Sequence, residues 1–295
     1  MTLGQFRVSH RSVMLAAVLV GMVSLAIGAH AALNKRSLEV AKALDAEDTT
    51  GSIAVKRARV ALVIGNGHYP DANRPLKQSI NDARAFAAVL RRDGFDVIMV
   101  EDADKEDMHR AVRRLQSKIG PDTTALLFFS GFGIQSDRES YMIPVDARIW
   151  READVRRDGL SIETVLRAMK ERAAKVKLAV IDASRRNPYE RRFRSYSHGL
   201  APINVPDNAL ILSSATPGRV VDESGGQYSP LMVELLKSLG QPDRNAETVF
   251  SRTRTAVSRA SEGKQVPTVS SSLVQDVPFK PDAAVASRKD AAAIN

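Results

Sequence analysis

The chain has 295 residues, 44% of them hydrophobic, with Lys+Arg 43 against Asp+Glu 34 and a formal net charge of +9. That apolar fraction is enough to fill the core of one α/β domain of about 220 residues, an ordinary domain size. There is no cysteine, which excludes disulfide staples and a thiol nucleophile alike.

Taken in chain order, Arg7 and Arg11 precede a stretch with no charged residue from Ser12 to Asn34, and Lys35 and Arg36 follow it. Residues 13–27 are strongly apolar and Ala29-His30-Ala31 is a small-x-small cleavage signal, so residues 1–31 read as a secretory signal cut after Ala31. The alternative is an uncleaved membrane anchor over residues 13–33, and either outcome exports the domain to the periplasm or to the periplasmic face of an inner membrane. Residues 32–56 read as a linker with a short helix at 37–44. Residues 57–280 form the domain, and 281–295, Ala-rich and charged, a disordered tail.

Within the domain, residues 59–64 read as a strand, and Ile80, Ala83, Ala87 and Leu90 make a helical stripe that Gly94 ends. Residues 95–100 are the next strand. Asp104 is placed to cap a helix carrying Met108, Val112, Leu115 and Ile119, which stops at Gly120-Pro121. Residues 123–129 are a buried strand, 141–144 a short extended piece, and Ser161 caps a helix running to about Arg172. Residues 177–181 and 209–213 are strands, Ser229-Pro230 opens a helix closed by Gly240, residues 245–260 are a last amphipathic helix, and 272–274 a final short strand.

This alternation implies an α/β fold with a mostly parallel sheet and helices on both faces, whose binding crevice lies at the carboxyl ends of the strands. His68, Phe132, Gly133 and the stretch from Asp182 to Ser184 all follow strands at that end. Residues 185–194 hold five arginines and read as a solvated loop shared with Glu190 or as a patch for an anionic partner. Aromatic residues are not interleaved with bases densely enough for a nucleic-acid groove, so no nucleic acid is expected. Pro70 stands where a dinucleotide loop beginning Gly65-Asn66-Gly67 needs its third glycine, and the spacings of metal-ligand motifs are missing. No cofactor and no metal are expected.

Two loops carry a resemblance. Ser130-Gly131-Phe132-Gly133 and Asp182-Ala183-Ser184 resemble the catalytic loops of the caspase/metacaspase family, in which they read Ser-Gly-His-Gly and Asp-Ala-Cys or Asp-Ser-Cys. Residues 60–66 (VALVIGN), Asn81-Asp82-Ala83 opening the following helix, residues 141–147 (YMIPVDA) and Gln265-Val266-Pro267 are also similar to bacterial caspase-like proteins, so that the likeness runs from Arg59 to Phe279. The resemblance implies a caspase-like three-layer sandwich. It puts Phe132 where the general base stands and Ser184 where the nucleophile stands, with Gly133 at an oxyanion-hole position and Asp82 and Asp182 at positions that line a pocket for a basic side chain.

Both exchanges remove chemistry while the frame is kept, which implies an inactive pseudopeptidase. It would act as a binding, scaffold or regulatory domain for a peptide or protein partner, a basic segment being the leading case, or beside an active caspase-like paralogue. One alternative is a slow peptidase or esterase in which His68 or His198 serves Ser184 as base; another is a basic envelope-surface module using residues 185–194. The plainer readings are packing for Phe132, helix capping for Asp82 and a structural strand-end carboxylate for Asp182. A membrane partner is expected only through an uncleaved amino-terminal segment.

Overall fold

The computed structural model describes residues 58–70, 75–185, 199–221 and 225–280. The signal or anchor segment, the linker with its 37–44 helix, most of the arginine-rich run and the carboxy-terminal tail lie outside the described residues. Among the described residues no helix is long and apolar enough to cross a membrane.

The chain runs β1 (Arg59–Gly65), α1 (Lys77–Arg92), β2 (Asp96–Glu101), α2 (Lys105–Ser117), β3 (Thr124–Ser130), β4 (Gly133–Ser136) and β5 (Glu139–Met142). It continues with α3 (Glu152–Asp158), β6 (Leu160–Ser161), α4 (Ile162–Glu171), β7 (Val176–Asp182), β8 (Ala209–Ser213), α5 (Pro230–Leu239), α6 (Ala246–Ala260) and β9 (Thr268–Ser271). The main sheet has the order β2-β1-β3-β7-β8-β9, parallel except for β9. β3 and β7 are buried at every residue, as central strands covered on both faces must be. Alternate residues feed two cores: Phe129, Ile181 and Ile211 pack against α2 and α4, whereas Phe128, Val180 and Leu212 pack against α1, α5 and α6. The result is a three-layer α/β sandwich with a mostly parallel central sheet.

The caps read from the sequence form. Asp104 accepts from the Asp107 N–H at 2.7 Å, Ser161 from Thr164 at 3.1 Å and Ser229 from Met232 at 3.1 Å, with Pro230 in the first turn. Other boundaries differ. α1 begins at Lys77 without any side-chain cap, so Asn81 and Asp82 do not open it and Asp82 does not cap it. The last strand is Thr268–Ser271 rather than 272–274: Val269 pairs with Leu212, while Val274 is 86% exposed. The piece expected at 141–144 belongs to a second, antiparallel sheet, β4-β5-β6. Its hairpin turn is Asp137-Arg138, both with positive φ (49° and 65°), the primed-turn geometry usually signalled by Asn-Gly or Asp-Gly.

The chain passes from β1 to β2 on one side and then crosses to β3 on the other. The order therefore reverses at the carboxyl ends of β1 and β3, the place where this class of sheet opens a crevice.

Candidate functional site

Gly65, Ser130 and Asp182 end their strands side by side in register. Strand alternation turns this row toward α1 and α5, the face that Val63, Phe128 and Val180 also serve. Gly65 has to be glycine for α1 to come this close, because a Cβ there would stand 2.6 Å from Ala83 Cβ and 2.8 Å from the Ser79 carbonyl. The approach brings Asp82 down onto the row.

Asp82 is 0% exposed and accepts the Ser229 N–H at 3.1 Å, at the start of α5. Burial pushes its carboxyl up to about 7; Asp182 adds to the rise, while Ser229 and Arg185 pull it back. Asp182 in turn takes the Arg185 guanidinium, Nη2 to Oδ2 at 3.4 Å. The two acidic positions read from the sequence are thus brought together. Arg185, which the sequence reading leaves in a solvated basic loop, is instead 4% exposed and packed against them.

The loop after β3 turns to the other side. The Phe132 ring, 5% exposed, meets Tyr69 edge-on with centroids 4.7 Å apart. The Phe132 N–H donates to Tyr69 Oη at 3.1 Å, and that hydroxyl donates to the Ile143 carbonyl at 2.9 Å. Neighbouring backbone stitches the two loops: Gly131 N–H donates to the Asp182 carbonyl at 3.3 Å and Gly133 N–H to the Ala183 carbonyl at 3.0 Å. The donor that the resemblance puts at an oxyanion position is therefore already engaged. Ser184 is 2% exposed and its carbonyl accepts the Val221 N–H at 2.6 Å.

His68 lies at the same end, with its side chain 66% exposed and Nδ1 2.5 Å from Asp102 Oδ2. Asp102 also accepts the N–H groups of Gly67 at 2.8 Å and His68 at 2.9 Å. Burial works against its charge, but the hydrogen bonds from His68 and Gly67 outweigh it and hold the carboxyl below the usual range. This pairing, which local pattern does not show, ties His68 toward the end of β2. The strands that lead to His68 and Ser184 are separated by β3, about 10 Å across two strand spacings. His198 lies outside the described residues. Among the described residues no group of three or more His, Cys, Asp or Glu side chains is set to hold a metal ion.

A family model described as the caspase domain matches residues 58–278. Two curated relatives are similar over 148 residues, half of this chain. They are the mucosa-associated lymphoid tissue lymphoma translocation protein 1 of Homo sapiens, at 27% identity, and its Mus musculus homologue, at 28%. The matched stretch covers 17% of the length of either relative.

Proposed function

Because the chain belongs to the caspase-domain family yet contains no cysteine, we propose that it acts by binding a peptide or protein segment where catalytic relatives cut one. The missing thiol carries this reading, since thiolate attack is the family's chemistry and no residue of this chain can supply it. Three observations support it. Phe132 is an apolar packing residue, Gly133 has given its N–H to Ala183, and Ser184 is buried with no described imidazole tied toward it. The acidic pair Asp82 and Asp182 favours a basic side chain as the recognised group, because charge-assisted hydrogen bonds are the strong ones in a buried site. An exported setting and an active caspase-like paralogue as partner complete the proposal.

The purified chain should show no turnover of peptide reporters ending in Arg or Lys. Hydrolysis that disappears in Ser184→Ala would overturn the reading. A second reading, slow hydrolysis by Ser184 with His68 as base, draws on one observation: Asp102 holds Nδ1, which leaves Nε2 of the neutral ring as the proton acceptor. In that case His68→Ala and Ser184→Ala should abolish the activity alike.

A further inference from the structure

A polar cleft of about 380 Å³ lies between the start of α2 and the stretch that leads into and out of α3, lined by Lys105, Asp146, Ala147, Arg148, Arg157 and Asp158. Asp82, Phe132, Asp182 and Ser184 take no part in it. The Val145 N–H donates to the Ala103 carbonyl at 3.0 Å, which holds one wall of the cleft against the turn after Asp102.

The charged side chains of this cleft are unequally engaged. Asp158 accepts Nε and Nη2 of Arg157 at 2.9 and 2.8 Å and the Arg148 N–H at 3.3 Å, and Nη1 of Arg157 goes to Asp154 at 2.6 Å. Those charges cancel within the wall. Lys105 spends one of its three donors on the Arg157 carbonyl at 2.5 Å, and its Nζ stands 3.9 Å from Asp158, too far for a hydrogen bond. Arg148 is held through its backbone alone, its N–H on Asp158 and its carbonyl under Arg157; its guanidinium has no partner among the described residues. Asp146 gives one oxygen to the Lys105 N–H at 3.0 Å and keeps the other. The surplus is two cationic donor groups against one carboxylate oxygen. The field stays positive one turn along α2, where burial, then Lys105 and Arg113, hold the His109 imidazole below its usual range.

We propose that this cleft binds a phosphate group that still carries a proton. The Arg148 guanidinium and the Lys105 ammonium take its charged oxygens, and its P–O–H donates to the unengaged oxygen of Asp146. The planar fork of a guanidinium matches two phosphate oxygens at once. The carboxylate sets the selectivity, because it accepts from a protonated oxyanion and repels one without a proton, such as sulfate. The volume exceeds that of one phosphate, so a monoester with a small organic group fits as well as free phosphate. A bound phosphate ties the first residue of α2 to the segment entering α3.

Trp150, the chain's single tryptophan, is 63% exposed and two residues from Arg148, so its emission reports on the cleft. The test titrates the full chain with inorganic phosphate, glycerol 3-phosphate and sulfate at constant ionic strength, at about pH 6, where about half of a phosphate monoester carries a proton. Phosphate should change the emission saturably and raise the thermal midpoint, and sulfate should bind at least about tenfold more weakly. Tighter binding of glycerol 3-phosphate identifies the ligand as a monoester, and the reverse order as free phosphate. Arg148→Ala removes the guanidinium and keeps both backbone bonds of the loop, so it should weaken phosphate about tenfold while the midpoint without phosphate stays put. Asp146→Asn should narrow the preference for phosphate over sulfate. Equal affinity for the two anions, no saturable response to phosphate, or unchanged affinity in Arg148→Ala overturns the proposal. The comparison of anions uses the unaltered chain, so it decides the matter even where a variant does not fold.

Discussion

Asp82 holds its proton at a pH where an ordinary carboxyl has lost it, because burial and then Asp182 move it from 3.8 to about 7. The unfolded chain releases this proton near 3.8, so between about pH 4 and 7 the folded state binds the extra proton and stability falls as pH rises. Asp82→Asn keeps an acceptor for Ser229 and has no proton to lose. Its unfolding free energy should vary less with pH, and at pH 8 it should exceed the parent's by something on the order of 2–4 kcal/mol in urea titrations. Equal pH slopes for the two proteins would mean that Asp82 is ionised throughout. Arg185→Ala should cost about 3 kcal/mol at pH 8, where it strands the Asp182 carboxylate, and less at pH 5, where the neighbouring Asp82 holds its proton and adds no second charge. Asp182 is legible in the sequence because a carboxylate ending an apolar strand stands out, and Asp82, inside α1, only through the family resemblance of Asn81-Asp82-Ala83. Arg185 is not legible, because it opens a run of arginines that reads as solvated. Which member of such a run is buried depends on how the chain leaves β7, and no local pattern states that.

At the scale of elements, what the sequence declares is what has a side-chain signal. Asp104, Ser161 and Ser229 announce their helices because each offers an oxygen to an amide that would otherwise lack a partner. α1 starts uncapped and so starts unannounced. α3 has no apolar stripe; Asp154 holds it by accepting the N–H groups of Trp150 and Arg151 and by pairing with Arg157. The β4–β5 hairpin escapes notice because Arg138 occupies a left-handed position where glycine is the usual signal. Arg138→Gly should relieve that strain and raise stability by about 1 kcal/mol in chemical denaturation. A loss instead would mean that the arginine side chain contributes more than its backbone costs. Ser229→Ala should cost about 1 kcal/mol through the lost cap to Met232, while the backbone bond to Asp82 survives.

The whole molecule is the most legible scale, because strands alternating with helices leave few arrangements other than a parallel sheet covered on both sides. The loops at its carboxyl ends are the least legible, since their contacts join segments far apart in sequence. Gly133 and Ala183 are an example: nothing local predicts that the one would donate to the other. This bond bears on any attempt to restore catalysis. On the roles that the family resemblance implies, Phe132→His with Ser184→Cys would supply a base and a thiol, but the Gly133 N–H that it assigns to an oxyanion is occupied, so the double variant should bind basic peptides and still cleave none. Clear turnover of an arginine reporter would show that the loops part readily. The same bond is also a clock. The Gly133 amide can trade its hydrogen for deuterium only when Ala183 lets go, so its exchange rate counts how often the two loops separate. A ligand seated against α1 should leave that rate unchanged or slow it. A peptide wedged between the loops would put its own carbonyl in place of Ala183, and the amide would then exchange at the pace of the peptide's departure.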